Sequence, residues 1–191
     1  SNIDINNPMV VFNVRDLEDE LRPVAMYIVL NFIWNKTKSD QKRRLLIIDE
    51  AWQLMKYEDS ANFMFSLAKR ARKYNLGITT ISQDVEDFMG SRMGRAIVAN
   101  SSMQVLLKQS PSAVDVLADV FKLTSEERKR LSQFPVGQGL FFAGQSHVHI
   151  QISGSPTETS LITTNPEQIK ALEQAGQIPL NGGSSGEISG F

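Results

Sequence analysis

The segment "RLLIIDE" (residues 44–50) joins a run of apolar residues to two adjacent carboxylates. Its apolar part, Leu45 to Ile48, has the length and composition of a short buried β-strand. The run stops at Asp49 and Glu50, so two acidic side chains stand at the carboxyl end of the predicted strand. Ligands of open parallel sheets bind outside the carboxyl ends of the strands. The segment therefore raises the question of what these two carboxylates hold.

The rest of the chain predicts strands that alternate with helices. Strands are predicted at residues 9–14, 44–49, 77–83 and 103–109, and helices at 15–36, 60–74, 84–102, 112–122, 124–134 and 165–175. The alternating segments 137–144 and 146–153 predict a β-hairpin near the C-terminus. This order is typical of an α/β domain, so we predict a mainly parallel sheet with helices on both faces.

Composition excludes several classes of function. The 191 residues hold 20 basic and 21 acidic side chains, so no overall charge attracts nucleic acid or anionic lipid. There are no cysteines, which excludes disulfides, thiolate catalysis and zinc–thiolate sites. The longest apolar stretch, Pro23 to Trp34, is shorter than the roughly 20 residues that a bilayer span needs. It predicts a buried helix.

Polar side chains follow three successive predicted strands. Glu50 follows Asp49, Gln83 ends the next strand, and Lys108 and Gln109 end the one after it. Such a set suits a nucleotide phosphate site, in which the aspartate holds Mg²⁺ and the second carboxylate orients the attacking water. A neutral amide on the neighbouring strand can bond that water or the γ-phosphate. This arrangement is the Walker B and sensor combination of P-loop ATPases.

Simpler interpretations of these residues remain open. Asp49 and Glu50 could be a strand end and the N-cap of a short helix "AWQLM", and Gln83 could be an ordinary strand-end amide. His147 and His149 share one face of a predicted strand, but no third metal ligand lies nearby in sequence. The basic clusters at 69–73 and 128–130 are expected to be solvated helix surface rather than a DNA-binding patch.

The phosphate-binding loop of P-loop ATPases, GxxxxGK[ST], does not occur in the sequence. The 48 residues before Asp49 contain no glycine, and the chain begins with Ser1 rather than methionine. We therefore expect the chain to be a piece of a longer protein, or a domain that does not catalyse. Tight ATP binding by the chain alone is not expected.

Five segments together resemble a known family. They are "VVFNVRDLEDELRPVAMYIVLNFIW", "RRLLIIDEAWQLMK", "LAKRARKYNLGITTISQDVEDF", "NSSMQVLLKQSPSAVDVL" and "GQGLFFAG". In this order they are similar to the C-terminal ATPase domain of the TraC/TrbE-type, VirB-four-like ATPases of conjugation and type IV secretion. The resemblance spans about Met9 to Thr164. It implies a RecA-like P-loop NTPase fold whose N-terminal Walker A unit is missing, with a partial ATPase domain over 1–175 and a flexible Gly/Ser-rich tail over 176–191.

The resemblance also implies roles for particular residues. Asp49 matches the Mg²⁺-associated Walker B aspartate, Glu50 the catalytic carboxylate and Gln83 the sensor glutamine. Lys108 and Gln109 close the "LLKQ" motif beside the nucleotide. The implied cofactors are ATP and Mg²⁺.

Assembly with other subunits is implied as well. Members of the family form oligomers, commonly hexamers, with ATP sites shared between subunits. Arg70 and Arg72 are the candidates for an arginine that acts in trans, and Arg95 is a weaker one. The alternative interpretation is that these arginines lie on a solvated polar helix face.

The implied function is ATP hydrolysis that energises a type IV secretion or conjugative transfer system. The implied place is the cytoplasmic side of the bacterial inner membrane, with other secretion subunits as partners. Two alternatives remain, a DNA-translocating motor of the coupling-protein type and a non-catalytic scaffold domain. We expect the fragment alone to be inactive.

Overall fold

The computed structural model describes residues 7–40, 42–144, 146–163 and 165–174. Within these residues the chain forms α1 (Arg22–Asp40), β1 (Arg44–Ile48), α2 (Glu58–Ala71), β2 (Leu76–Thr80), α3 (Val85–Gly90), α4 (Arg92–Asn100), β3 (Met103–Leu107), α5 (Pro111–Phe121), α6 (Ser125–Gln133), β4 (Gln138–Ala143), β5 (Ser146–Gln151), α7 (Pro156–Ile162) and α8 (Pro166–Gln174). Short 3₁₀ helices lie at Ala51–Met55 and Arg72–Tyr74. The α/β class is confirmed. The predicted tail, 176–191, lies outside the described residues.

The strands form two small sheets rather than one mainly parallel sheet, which corrects the prediction. β1 and β2 pair in parallel, with Ile48 opposite Thr80. β3, β4 and β5 form an antiparallel sheet in which β4 is central. The predicted hairpin is confirmed as β4–β5. β3 pairs with β4 and not with β2, so the parallel sheet ends at β2.

In the described residues, β1 and β3 each have one covered face and one exposed face, whereas the sequence predicts helices on both faces. Along β1, Leu46 and Ile48 point toward the core, whereas Leu45 and Ile47 are 68% and 59% exposed. The same alternation occurs in β3, where Leu106 is buried between exposed neighbours. In a strand with one covered face, burial alternates from residue to residue even where, as in residues 45–48 of β1, the sequence is apolar throughout.

Two apolar clusters hold the fold together. The first, which we call the parallel cluster, lies under β1 and β2 and consists of Leu30, Trp34, Ile48, Ala51, Leu54, Met64, Leu67, Ala71, Leu76, Phe88, Met89 and Ile97. The second, the antiparallel cluster, lies under β3 and β4 and consists of Leu106, Val114, Leu117, Leu131, Phe134, Leu140 and Phe142. Val85 packs against both clusters. It therefore links the two halves of the fold.

The N-terminal segment differs from the prediction. Residues 9–14 form no strand, and both Met9 and Val11 are 76% exposed. No described strand lies beside this segment to supply the hydrogen bonds that a strand requires. The following helix begins at Arg22, so the acidic residues 18–20 lie in turns before it. Pro23 explains this start, because proline is favoured in the first turn of a helix.

The predicted helix over 84–102 is divided into α3 and α4 at Ser91, whose backbone is extended (φ −73°, ψ 134°). Ser91 caps α4 through its hydroxyl, which accepts hydrogen bonds from two backbone N–H groups. Gly94 allows α4 to lie against the end of α3. A Cβ atom at this position would stand 1.9 Å from the carbonyl oxygen of Phe88.

None of the helices in the described ranges has the length and apolar content that crossing a membrane would require.

Candidate functional site

The ends of β1, β2 and β3 open into one depression of about 860 Å³. This volume is within the range of small-molecule sites. The lining comes from the segments that follow the three strands, together with the first turns of α3 and α5; its members are Asp49, Glu50, Trp52, Ile81, Ser82, Gln83, Asp84, Val85, Glu86, Leu107, Lys108, Gln109, Ser110 and Ala113. The structure thus brings together five of the seven predicted site residues.

Backbone hydrogen bonds beyond β1 and β2 fix the positions of Glu50 and Gln83. The N–H of Ile81 donates to the carbonyl of Ile48 at 2.8 Å, and the N–H of Ala51 donates to the carbonyl of Ile81 at 2.9 Å. The parallel pairing therefore continues past both strand ends. It places Gln83 beside Glu50, although 33 residues separate them in sequence.

Glu50 is the most constrained residue of the site. Its backbone is left-handed (φ 51°, ψ 43°), a conformation that costs a non-glycine residue about 1–2 kcal/mol. Its carboxylate accepts two hydrogen bonds of 2.5 Å, one at Oε1 from Nε2 of Gln83 and one at Oε2 from Nε1 of Trp52. Glu50 occupies the N-cap position of the 3₁₀ helix, but its side chain forms no cap bond. Glu50 therefore has the predicted N-cap position but does not cap the helix through its side chain.

Asp49 stands beside it with a different orientation. Its side chain is exposed to the depression, and Oδ1 accepts a hydrogen bond from the backbone N–H of Glu50 at 2.9 Å. The left-handed turn at Glu50 thus directs two adjacent carboxylates to different partners. One is tied to neighbouring side chains, and the other faces the open depression.

The end of β3 supplies the positive side of the depression. Lys108 is exposed, whereas Gln109 is half-buried and its N–H donates to the carbonyl of Leu131 at 3.0 Å. Ser110 caps α5 by accepting a hydrogen bond from the N–H of Ala113. A lysine and a helix N-terminus both favour negative ligands. This part of the lining suits phosphate groups, and the end of β1 supplies carboxylates.

The predicted arginines do not line the depression. Arg70 lies over the ring of Trp34 at 5.3 Å, and its Nε donates to the carbonyl of Ser66. Arg72 is exposed at the end of α2. Arg95 donates to the carbonyls of Met89 and Gly90 and so closes the end of α3. A trans role for Arg70 or Arg72 stays a prediction.

His147 and His149 project toward α6. Nε2 of His147 lies 2.9 Å from Oε1 of Glu127, and Nδ1 of His149 lies 3.2 Å from Nη1 of Arg130. Burial raises the pKa of Glu127, but hydrogen bonds from Thr124 outweigh this effect and, with the neighbouring histidines, hold that pKa below its usual value. These contacts fasten the hairpin to α6. None of these residues lines the depression.

The donor set of the depression fits Mg²⁺ better than it fits a transition metal. Asp49 and Ser110 offer oxygen atoms, and no lining residue is a histidine. The described residues contain no group of three or more His, Cys, Asp or Glu side chains that could hold a metal alone. Mg²⁺ usually takes one or two protein carboxylates and completes its coordination with substrate phosphates and water. Asp49 would hold it in this manner.

The contact of Trp52 within the site is the feature that sequence reasoning does not predict. A tryptophan next to the predicted strand is expected to be core or pocket wall, and Trp52 is half-buried against the parallel cluster and lines the depression. Its hydrogen bond to Glu50 was not anticipated. The signal was available in the segment "DEAW", because a tryptophan two residues after a carboxylate can reach it across a tight turn.

The fold and the site together define a P-loop NTPase-like α/β domain. Its parallel strands end in an Asp–Glu pair and a glutamine, and the next strand ends in lysine. The chain belongs to the TraG P-loop domain family, whose sequence model matches residues 1–136. The resemblance to the TraC/TrbE-type, VirB-four-like family is thereby confirmed.

Similar proteins support this assignment. The structure of VirB4 of Thermoanaerobacter pseudethanolicus superposes with a TM-score of 0.76 and 31% identity, over 82% of this chain and 44% of that one. The chain is 22% identical over 164 residues to the type IV secretion system protein virB4 of Brucella abortus, covering 83% of this chain and 19% of the relative. It is 38% identical over 82 residues to the DNA import protein CedB of Sulfolobus acidocaldarius, covering 39% of this chain and 14% of the relative. The chain therefore spans less than half of the solved VirB4 chain and less than a fifth of these two relatives.

Proposed function

We propose that this chain is the Walker B half of an ATPase that energises a type IV secretion or conjugative transfer system. The observation that supports the proposal best is the meeting of three strand ends in one depression, whose lining includes Asp49, Glu50 and Lys108. Carboxylates and a lysine in one depression suit a Mg²⁺-bound phosphate chain. The likeness to VirB4 supports the same function.

Each residue has a role in the proposed hydrolysis of ATP. Asp49 would hold Mg²⁺, which would supply positive charge to the phosphates. Lys108, which also lines the depression, attracts the phosphates. Glu50 accepts a proton from the attacking water as the new P–O bond forms and the bond to ADP breaks. Gln83 donates its amide hydrogen to the γ-phosphate or to the water.

The chain alone is proposed to be inactive. It contains no GxxxxGK[ST] segment, so the backbone amides and the lysine that hold the β- and γ-phosphates must come from elsewhere. We infer that a longer parent protein supplies that loop. In the parent, subunits are proposed to assemble as a hexamer, and Arg70 or Arg72 reaches the depression of a neighbouring subunit.

The proposed setting is the cytoplasmic side of the bacterial inner membrane, with other type IV secretion subunits as partners. The name of the relative virB4 supports a secretion role. A second candidate is a motor that translocates DNA, and the relative named as a DNA import protein favours it. Strong, salt-sensitive DNA binding by the parent protein, lost on changing Arg70 or Arg72, would support the second candidate.

The function is tested by the substitution Glu50→Gln in the parent protein. We expect hydrolysis of ATP to fall by about 10²- to 10⁴-fold, because Gln cannot accept the proton from water. Binding of ATP should persist, since the phosphates contact other residues. Glu58→Gln provides the matched control, because Glu58 is an exposed residue of α2 that does not line the depression. Equal loss in both variants, or unchanged hydrolysis in Glu50→Gln, would overturn the proposal.

A further inference from the structure

Both oxygens of the Glu50 carboxylate accept a hydrogen bond in the structure. Nε1 of Trp52 donates to Oε2, and Nε2 of Gln83 donates to Oε1. Each carboxylate oxygen has two lone pairs, so each keeps one acceptor site, but a hydrogen bond already accepted makes that oxygen a weaker base. Exchange of one of the two contacts therefore makes the released oxygen the better acceptor for a proton from water.

The two donors differ in how firmly they are held. Trp52 is half-buried against the parallel cluster, and Nζ of Lys56 lies 4.5 Å from the centre of its ring. Trp52 also belongs to the 3₁₀ helix that directly follows Glu50. Gln83, in contrast, is an exposed residue after β2. The contact from Gln83 is thus the one that a ligand entering the depression can displace.

We propose that Trp52 is a positioning residue that fixes Glu50 through Oε2, and that substrate phosphate exchanges only the Gln83 contact at Oε1. This inference rests on the proposed function. A γ-phosphate that accepts the amide hydrogen of Gln83 leaves Oε1 free for the attacking water. The oxygen of that water bonds to phosphorus, the bond to the leaving diphosphate breaks, and the proton passes to Oε1. Without phosphate the hydrogen bond from Gln83 keeps Oε1 a weaker base, so Glu50 activates water less well.

The substitution Trp52→Phe separates the hydrogen bond from the packing. Phenylalanine retains an aromatic ring against the parallel cluster but has no N–H to donate. Tyr57→Phe is the matched control. It also changes an aromatic side chain close to the 3₁₀ helix, but Tyr57 is exposed and does not line the depression.

The hydrogen bond from Trp52 to Glu50 is tested first, in the 191-residue chain without nucleotide. The chain has two tryptophans, so a ¹H–¹⁵N spectrum shows two indole signals, and Trp52→Phe identifies the one from Trp52. We expect this signal to move in Glu50→Ala and to stay in place in Gln83→Ala. A Trp52 signal that does not respond to Glu50→Ala would overturn the inference, whatever the activity of the parent protein.

The positioning role is tested second, by steady-state kinetics of the parent ATPase. We expect Trp52→Phe to lower kcat by about 10- to 100-fold, the effect of a misplaced reacting group, with KM for ATP nearly unchanged. Tyr57→Phe should retain the wild-type kcat. If hydrolysis depends on Glu50 but Trp52→Phe retains full kcat, the inference is wrong while the proposed function stands. If the parent shows no hydrolysis that depends on Glu50, both are wrong.

Discussion

The parallel and antiparallel halves of the fold hold their functional side chains by different means. Backbone hydrogen bonds fix the strand ends of both halves, through Ile81 and Ala51 in one and through Gln109 in the other. In the parallel half the Glu50 carboxylate also accepts hydrogen bonds from the side chains of Gln83 and Trp52. A ligand can exchange such side-chain contacts more easily than backbone hydrogen bonds. We therefore expect a ligand to change the side-chain contacts of Glu50 and to leave the backbone of both strand ends in place.

The depression needs both halves of the fold, because its lining comes from the ends of β1, β2 and β3. Val85 packs against both apolar clusters and also lines the depression. The site is therefore expected to depend on the two halves keeping a fixed position relative to each other. We expect the two halves to unfold together.

The largest effect is expected from Leu140→Ala in the antiparallel cluster. Leu140 is fully buried, and its truncation should lower the free energy of unfolding by about 2–5 kcal/mol. Both tryptophans, Trp34 and Trp52, lie in the parallel half, so tryptophan fluorescence reports on that half alone. We expect the midpoint of urea unfolding measured by fluorescence to shift, because Val85 couples the halves.

The control for this prediction is Val136→Ala, at a residue that is fully exposed. Its midpoint should equal that of the wild type. A fluorescence midpoint that Leu140→Ala leaves unchanged, with a shifted midpoint in circular dichroism, would mean that the two halves unfold independently.

The next effect, in the parallel half, concerns two glycines of one helical region. A Cβ at Gly94 would meet the carbonyl oxygen of Phe88, whereas a Cβ at Gly90 would meet nothing within 4 Å. Gly94→Ala should therefore destabilise the fold by about 1–3 kcal/mol, in the range of other overpacked sites. Gly90→Ala should be neutral or slightly stabilising, since alanine favours helix. Thermal unfolding of the two variants checks this, and equal melting temperatures would contradict the close packing of α3 and α4.

The smallest effect concerns pH. A hydrogen bond from Arg44 lowers the pKa of Asp40 to about 2, whereas an unfolded aspartate titrates near pH 3.9. Asp40 therefore contributes stability above about pH 4, and the contribution is lost as the pH falls toward 2. Asp40→Asn should unfold at lower urea concentration than the wild type at neutral pH, and the difference should shrink in acid.

The matching pair in the antiparallel half is Glu126 with Arg130 on α6, where the hydrogen bond from Arg130 also lowers the pKa of the carboxyl. Its side chains are 66% and 51% exposed, against 26% and 22% for Asp40 and Arg44. Water screens exposed pairs more strongly, so Glu126→Gln should show the weaker pH dependence. A stronger dependence in Glu126→Gln would contradict the comparison.

Sequence reasoning recovered the features that local patterns determine. The sequence predicts the three strand ends and a helix over 124–134, and the structure contains them, with α6 capped by Thr124 and Glu127. Sequence reasoning failed where the structure of a segment depends on residues distant in sequence. Residues 9–14 have a strand-like composition, but no described strand lies beside them to pair with. The exposed faces of β1 and β3 were missed for the same reason. Periodicity does not show which face another layer covers.

One missed element did have a local signal. α7 begins with Ser155 as its N-cap, and Glu158 closes a second capping box with Pro156 in the first turn. This spacing is the same as that of α6 and could have predicted the helix. The direction of the Glu50 side chain, in contrast, depends on a left-handed turn and on Gln83 from another strand. No local pattern specifies such a contact.

The central claim is that the ends of β1, β2 and β3 together receive the phosphates of a nucleotide. A crystal structure of the parent protein with Mg²⁺ and a non-hydrolysable ATP analogue tests this most directly. We expect the phosphates to lie in the depression between Asp49 and Lys108, with the amide of Gln83 turned from Glu50 to the γ-phosphate. Phosphates bound elsewhere, with the Gln83–Glu50 hydrogen bond intact, would contradict it.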